Sequence, residues 1–330
     1  MYSVLVTCPP MINRIDNFKE LFFKLNLKYF CPKFTQVLTE EELIELLPNY
    51  DAWIIGDDPA TERVFKAGIK GKLKAVVKWG VGVDNVDFKA CKKLNIPVTN
   101  TPNVFGEEVS DIAIGYLISL TRQIHNIDKE TKKGNWFKPC GTSLYNKKVC
   151  LIGFGDIGRN IARKLIPFNM NIFVSDPGFS ISNNKIYCNY NDEIEITEEL
   201  QKVNLNELND CVENADIIIV ACNLNKHTEG LVNRNLILKA KKGVIIINIS
   251  RGPVINENDV IELLEEKFID CVGFDVFEIE PLPLNNKLRN FEKCIFGSHN
   301  SSNTKEAVDK TSELALNKLH KFLINKTSKL

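Results

Sequence analysis

Histidine is scarce in this chain of 330 residues, with four in all, and no spacing of His, Cys, Asp and Glu builds a zinc site. Paired cysteines are lacking too. The ten cysteines run singly from Cys8 to Cys294 with no Cys-x-x-Cys, and Cys150, Cys222, Cys271 and Cys294 sit in apolar runs. That is the pattern of reduced, buried thiols in a cytoplasmic protein, and it speaks against a disulfide framework. Net charge is absent, 42 basic residues against 42 acidic, so nothing supports nucleic-acid or membrane-surface binding. No apolar run reaches membrane-spanning length; 217–222 and 244–249 are short, as buried parallel strands are. The start, Ser3-Val4-Leu5-Val6, reads as a strand and lacks a basic region followed by an apolar core, so no signal peptide is expected. What is present is a globular composition, 44% hydrophobic and 25% charged, with room for two domains.

The rest of the chain is organised around Lys148-Val149-Cys150-Leu151-Ile152-Gly153-Phe154-Gly155-Asp156-Ile157-Gly158. An apolar strand runs into Gly-x-Gly-x-x-Gly, and 159–165 reads as a helix. Gly153 permits the sharp turn, Gly155 lets the backbone approach a pyrophosphate, and Gly158 lets helix and strand pack closely. The free N–H groups at the helix start face the anion. A second strand, 171–175, ends at Asp176, 18 residues past Gly158, where a carboxylate can accept from ribose hydroxyls. Asp176 followed by Pro177 and Gly178 argues for NAD over NADP, because a carboxylate repels a 2′-phosphate and no cation follows it.

Upstream, the spacing predicts strands over 2–8, 28–34, 51–56, 74–79 and 96–99. Helices are expected over 14–26, from Thr39 as a capping box with Glu42, from about Pro59, and up to about Leu94. Alternation of short strands and helices makes this a parallel α/β unit without a phosphate fingerprint. A long helix is expected from about Phe105 to Arg122, then an extended arm over Asp128–Asn146. Later strands are expected at Ala215–Cys222, Gly243–Ser250, Ile269–Asp275 and Cys294–Gly297. Residues 179–202 read as a surface insertion, and a final helix from Thr304 to about Ile324 could return to the first unit.

Three strand ends carry polar residues that burial alone does not call for: Ser250-Arg251-Gly252, then Asp275 with Glu278 and Glu280, then Ser298-His299-Asn300. Ligands of open α/β sheets sit at the carboxyl ends of strands, so an Arg, an acid pair and a His arrive on the cofactor's edge. Alone, each would be an ordinary surface or structural residue; His125, His227 and His320 keep that reading.

Here the sequence resembles the D-isomer-specific 2-hydroxyacid dehydrogenases. The resemblance is carried by 78–87 (Lys78-Trp79-Gly80-Val81-Gly82-Val83-Asp84 onward), Asn100-Thr101-Pro102-Asn103, the glycine fingerprint ending in Asp176, Asn248-Ile249-Ser250-Arg251-Gly252, 274–281 and Ser298-His299. It implies two doubly wound parallel-sheet α/β domains with a cleft between them. These would be a flavodoxin-like substrate domain over 1–102, completed by 303–330, and a Rossmann NAD domain over 103–302. It implies a homodimer, built on the helix from about Phe105 and the arm. It places the catalytic Arg, Glu and His on Arg251, Glu280 and His299. His299 would be the acid–base group, Glu280 would fix its tautomer, and Arg251 would hold the substrate carboxylate. NAD would lie against Gly153, Phe154, Gly155, Asp156, Ile157, Gly158, Asp176, Cys222, Asn223, Ile249, Ser250, Arg251, Asp275 and His299, with Asp275 towards the nicotinamide. The substrate, a small 2-hydroxy or 2-keto acid, would meet Lys78, Trp79, Gly80, Val81, Gly82 and Arg251.

The chain departs from the family around His299, where Ser298 and Asn300-Ser301-Ser302 replace the usual Pro and Gly-Gly flanks. Asp57 and Asp58 stand where phosphoglycerate enzymes often carry Arg; two carboxylates would repel a phosphate, and Lys78 is the cation at hand. D-3-phosphoglycerate dehydrogenase activity, phosphite oxidation and a non-catalytic NAD-sensing module of the same fold are the alternatives.

Overall fold

The computed structural model describes residues 1–34, 37–189, 194 and 196–327. They pack as two units: Met1–Val104 with the segment from Asn303 onward, and Phe105–Ser302.

The first unit is built on five parallel strands, β1 Tyr2–Val6, β2 Leu27–Phe30, β3 Ala52–Ile55, β4 Ala75–Lys78 and β5 Val98–Asn100, in the order β2-β1-β3-β4-β5. Every residue of β3 and β4 is buried, as expected of parallel strands covered on both faces. Thr39 and Glu42 form the expected capping box ahead of the Glu40–Leu46 helix. The helix expected from about Pro59 starts later, at Glu62, because Ala60 is held in a parallel bridge to Val86 and Thr61 supplies the cap, accepting from the Val64 N–H. The 14–26 stretch splits into a 3-10 turn, Ile15–Phe18, and a helix, Lys19–Lys24. The Lys305–Thr327 helix packs on β4, where Trp79 Nε1 donates to Ser312 Oγ at 3.1 Å.

The second unit carries seven parallel strands. These are β6 Lys148–Ile152, β7 Asn171–Ser175, β10 Asn204–Leu205, β11 Ile217–Val220, β12 Val244–Asn248, β13 Ile269–Phe274 and β14 Ile295–Phe296. Their order in the sheet is β10-β7-β6-β11-β12-β13-β14. The order reverses beside β6, and the carboxyl ends of β6 and β11 flank that point, where open α/β sheets take their ligands. The Gly106–Arg122 helix lies on this sheet with Ala113, Leu117 and Leu120 buried; each leucine so buried stabilises by about 1.5–3 kcal/mol.

Two expectations need correction here. The stretch taken as an arm begins in a helix, Ile124–Lys132, which follows Gln123 in the left-handed region at φ 52°. Only the residues after it lack regular structure. The 179–202 segment is more than a surface insertion. It holds an antiparallel hairpin, β8 Phe179–Ser182 with β9 Lys185–Cys188, whose Phe179, Ile186 and Cys188 are buried; part of its remainder lies outside the described residues. Among the described residues no helix is long and apolar enough to cross a membrane.

Candidate functional site

β6 ends at Ile152 and the chain turns through Gly153 into the Asp156–Leu165 helix. Gly153 has φ +101°, and a Cβ there would fall 2.6 Å from the Cys222 nitrogen. At Gly158 a Cβ would lie 2.1 Å from the Gly153 carbonyl oxygen, so helix and turn are in direct contact. Gly155 is different: a Cβ would meet no heavy atom within 4 Å, and the space over it is open. Phe154 is buried edge-on against Phe179, ring centroids 5.1 Å apart. Arg159 Nη1 donates to the Phe154 carbonyl at 3.0 Å. Past β7, Asp176 Oδ2 accepts the Phe154 N–H at 2.6 Å and Oδ1 accepts the Gly178 N–H at 2.7 Å. Each carboxylate oxygen can accept more than one hydrogen bond, so both retain capacity for a ribose hydroxyl. An open glycine, a helix N-terminus and a pre-ordered acid therefore fit a dinucleotide.

Cys222 lies under Gly153 with its thiol pushed up to about 12 by burial, and Asn223 is exposed. Ile249 and Ser250 are buried past the end of β12, where Asn248 Oδ1 accepts from both the N–H and the hydroxyl of Ser250 at 3.1 Å. Asn248 Nδ2 donates to the Arg251 carbonyl at 3.1 Å. Arg251 is half-buried, with Nη1 on the Ser250 carbonyl at 2.8 Å.

The structure brings Glu280 and His299 together: His299 Nδ1 lies 2.8 Å from Glu280 Oε2. Glu280 Oε1 in turn accepts the Phe277 N–H at 2.9 Å. The carboxylate engages Nδ1 and so fixes how the imidazole is turned. His299 sits at φ +54°, a left-handed conformation uncommon for a residue with a side chain. Three successive amides hold it there. The His299 N–H donates to the Asp275 carbonyl at 2.7 Å, the Asn300 N–H to Asp275 Oδ1 at 3.3 Å, and the Ser301 N–H to Oδ2 at 2.9 Å. The Ser301 hydroxyl adds 2.5 Å to Oδ2, and Tyr116 OH lies 3.4 Å from Oδ1. Asp275, expected to face the nicotinamide, is thus buried with its carboxylate taken up by the His299 loop. Burial, then the Asp275 charge, pushes the Tyr116 phenol up.

In the first unit, the side chains of Lys78 and Trp79 are committed within the fold. Lys78 is buried, with Nζ on Asp57 at 3.0 Å and on the Trp79 carbonyl at 3.1 Å. The Trp79 ring is buried, with Nε1 held by Ser312. Neither side chain is placed as the substrate contact expected of it. The Gly80 N–H donates to Thr101 Oγ1 at 2.7 Å. The N–H groups of Val81 and Gly82 have no acceptor among the described residues. Asp58 turns inward and accepts from Thr7, Leu38 and Gly56, so of the two acids only Asp57 presents its charge outward. His227 is exposed, and His125 lies 3.3 Å from Ser119 Oγ.

Sequence reasoning missed Arg159, Tyr116 and Ser301, along with the buried Glu257 beside the Glu280 turn. No local pattern marks Tyr116, Ser301 or Glu257, whose partners lie 159, 26 and 21 positions away; Arg159 reaches back only to Phe154.

Residues 114–301 match the family model described as the D-isomer specific 2-hydroxyacid dehydrogenase, NAD binding domain. The chain is 30% identical over 288 residues to the glyoxylate reductase of Thermofilum pendens, covering 85% of this chain and 80% of that one. It is 33% identical over 289 residues to the D-3-phosphoglycerate dehydrogenase of Bacillus subtilis, covering 82% of this chain and 51% of that protein. Its fold is similar to the crystal structure of the TT0316 protein from Thermus thermophilus, with a TM-score of 0.82 at 22% identity over 98% of this chain and 97% of that one.

Proposed function

The chain belongs to the D-isomer-specific 2-hydroxyacid dehydrogenases, which makes it an NAD-dependent oxidoreductase, and from that premise we propose the roles of its residues and its substrate class. It interconverts a short D-2-hydroxy acid and the corresponding 2-keto acid, with glyoxylate or hydroxypyruvate as the keto form. His299 is the acid–base group, Glu280 orients it, and Arg251 binds the substrate carboxylate. The observation that carries this assignment is the 2.8 Å contact of His299 Nδ1 with Glu280 on the edge where β12, β13 and β14 end.

Bound NAD supplies the hydride acceptor for oxidation and, as NADH, the donor for reduction. The chain's own residues manage protons and charge. In oxidation, His299 Nε2 takes the hydroxyl proton and Glu280 stabilises the imidazolium that forms. In reduction the same imidazolium returns a proton to the carbonyl oxygen. The guanidinium of Arg251 suits a carboxylate because its planar fork can make two parallel hydrogen bonds. In the first unit, the N–H groups of Val81 and Gly82 can serve an anion. NAD is preferred over NADP because Asp176 would repel a 2′-phosphate.

The exposed carboxylate of Asp57, resting on Lys78, favours an unphosphorylated substrate. We further propose a homodimer, for which Trp136, Phe137 and Tyr145 are exposed apolar residues after the Ile124–Lys132 helix; sedimentation of a monomer would refute it. The activity is tested by oxidation of NADH, followed by absorbance, with glyoxylate, hydroxypyruvate, pyruvate and phosphohydroxypyruvate, and with NADPH in parallel. Turnover is expected with the first two. A best rate with phosphohydroxypyruvate would overturn the argument from Asp57. NADH binding without turnover of any keto acid would identify a non-catalytic NAD-binding module.

A further inference from the structure

Glu257 is a buried acid that the chemistry above does not use. It opens the Glu257–Glu265 helix and is 6% exposed. An acid in a helix's first turn gains its electrostatic benefit at the surface and needs no burial for it. Burial pushes this carboxyl up, and the nearby charges of Glu278 and Glu280 push it further. Its place must therefore be held by specific partners.

Those partners lie in the turn that carries Glu280. Glu257 Oε1 accepts the Glu278 N–H at 2.5 Å, and Glu278 Oε1 accepts the Glu257 N–H at 3.0 Å. Asn286 Nδ2 donates to Glu257 Oε2 at 3.2 Å. Five residues before Glu257, the backbone at Gly252 touches the same turn: a Cβ there would lie 1.9 Å from the Phe277 carbonyl carbon and oxygen. Phe277 then donates its N–H to Glu280, which meets His299. The Arg251–Glu257 segment and the 277–280 turn are thus joined at two points, one of backbone contact and one of reciprocal hydrogen bonds.

We propose that Glu257 is a positioning residue, whose carboxylate clamps the 277–280 turn against the Arg251–Gly252 backbone and so holds Glu280 on His299. The assignment of its effect on turnover rests on the acid–base roles proposed above. The charged groups around it are mostly negative. Glu278 and Glu280 face it from the turn. On its own helix, Asp259 accepts the Arg234 N–H at 2.7 Å. Of the cations in the Lys287–Asn290 turn, Lys287 lies 3.3 Å from Glu265, and Arg289 donates to the Leu282 and Pro283 carbonyls. An amide in place of this carboxylate keeps an acceptor for the Glu278 N–H but loses the one that Asn286 meets, and it loses the charge; the weakened clamp should therefore make the imidazolium at His299 easier to deprotonate, since a nearby carboxylate favours the charged ring.

The test is Glu257→Gln, read in three ways. NADH affinity, by fluorescence titration, should stay within about twofold. The kcat for the keto acid should fall about tenfold or more, with KM changed much less. The pH midpoint of His299, followed by NMR of the labelled imidazoles and identified by its loss in H299N, should move down by about half a unit or more, together with the matching limb of the kcat/KM profile. A merely structural role would lower the melting temperature and leave the midpoint in place; an unmoved midpoint with unchanged kcat overturns the proposal. If Glu257→Gln does not fold, Asn286→Ala withdraws only one donor from the clamp and should move the midpoint the same way by less; no movement there overturns it equally. The NMR midpoint needs no substrate. A shift in a protein that turns over no keto acid would refute the enzymatic reading and leave the clamp standing, whereas wild-type turnover without a shift would refute the clamp alone.

Discussion

Two glycines of one turn should fail in opposite ways when given a methyl group. At Gly158 the added carbon would sit 2.1 Å from the Gly153 carbonyl oxygen, where ordinary contact begins near 3.4 Å. The Asp156–Leu165 helix must move off the turn by more than an ångström or the turn must distort. Overpacking of this kind costs about 1–3 kcal/mol, and at roughly 2–4 °C per kcal/mol for a unit of this size Gly158→Ala should melt several degrees lower. At Gly155 the methyl meets nothing within 4 Å, and the backbone, at φ −62°, accepts any residue. Only the exchange of one N-cap residue for a poorer one is felt, about 1 kcal/mol or less. The methyl nevertheless occupies the opening through which a pyrophosphate would reach the backbone, and each charge-assisted hydrogen bond lost there is worth about 1.5–3 kcal/mol. Gly155→Ala should therefore bind NADH at least about tenfold more weakly. Thermal denaturation with and without NADH separates the two. At about 100 times its Kd, NADH adds about 2.7 kcal/mol to the wild type, and about 1.4 kcal/mol if the Kd rises tenfold. A Gly155→Ala protein that keeps the full NADH-induced rise, or a Gly158→Ala protein as stable as the wild type, would refute this account of the turn.

His299→Asn should lower turnover by about 10²–10⁴-fold while NADH still binds, and unchanged turnover would remove His299 from the chemistry. Asp176→Ser should raise the NADPH-to-NADH ratio of kcat/KM, because it removes the charge that would face a 2′-phosphate; an unchanged ratio would show that Asp176 does not set cofactor choice. Asp216 is pulled upward by burial but more strongly downward by the Lys148 N–H at 2.8 Å and Lys241 at 3.0 Å, for a net lowering. A depressed acid stabilises above its ordinary range and loses that contribution as pH falls through its folded value. Asp216→Asn should therefore melt below wild type at neutral pH, with the gap closing below about pH 4. A gap independent of pH would refute the ion-pair account. Of ten cysteines only Cys140 is exposed, while burial pushes the half-buried Cys31 and Cys222 thiols up to about 11 and about 12. A disulfide reagent at mildly alkaline pH should find one fast thiol in the native protein and none in Cys140→Ser; several fast thiols would contradict this burial pattern.

Much of the proposed cofactor site was legible because its demands are local. A turn, a helix start and an acid at a fixed distance each need particular residues at particular places, and Gly153, Gly155, Gly158 and Asp176 stand in them. The β8–β9 hairpin could have been read in the same way. Its tip, Asn183-Asn184, has both residues left-handed at φ 49° and 58°, as a two-residue hairpin turn requires. Composition concealed it, since an Asn- and Glu-rich stretch looks like solvated loop. The Ile124–Lys132 helix was hidden for a related reason. It has no fully buried residue and a polar surface, and the ion pair of Asp128 with Lys132, 2.7 Å apart at i,i+4 spacing, is the kind of signal that periodicity of apolar residues ignores.

The interior polar groups were illegible for a deeper reason. Loops at strand ends expose N–H groups that no neighbouring strand can accept, and a buried one must find another acceptor. In this chain buried acids and one amide take that role. Asp58 gathers the Leu38 and Gly56 amides, Asn248 the Ser250 amide, Glu257 the Glu278 amide, and Asp275 the amides of Asn300 and Ser301. A carboxylate with two oxygens can satisfy several donors at once, which offsets the cost of burying it. Sequence gives Asp58 and Asp275 the look of site residues, acids near a strand end, whereas Glu257 opens a helix; the backbone amides that reach these acids lie up to 26 positions away. That is why Asp58 and Asp275 drew functional expectations and why Glu257 drew none. The distinction between an acid that meets a ligand and an acid that builds the loop meeting it lies in which N–H groups converge on it. Convergence of that kind is a property of the folded chain alone.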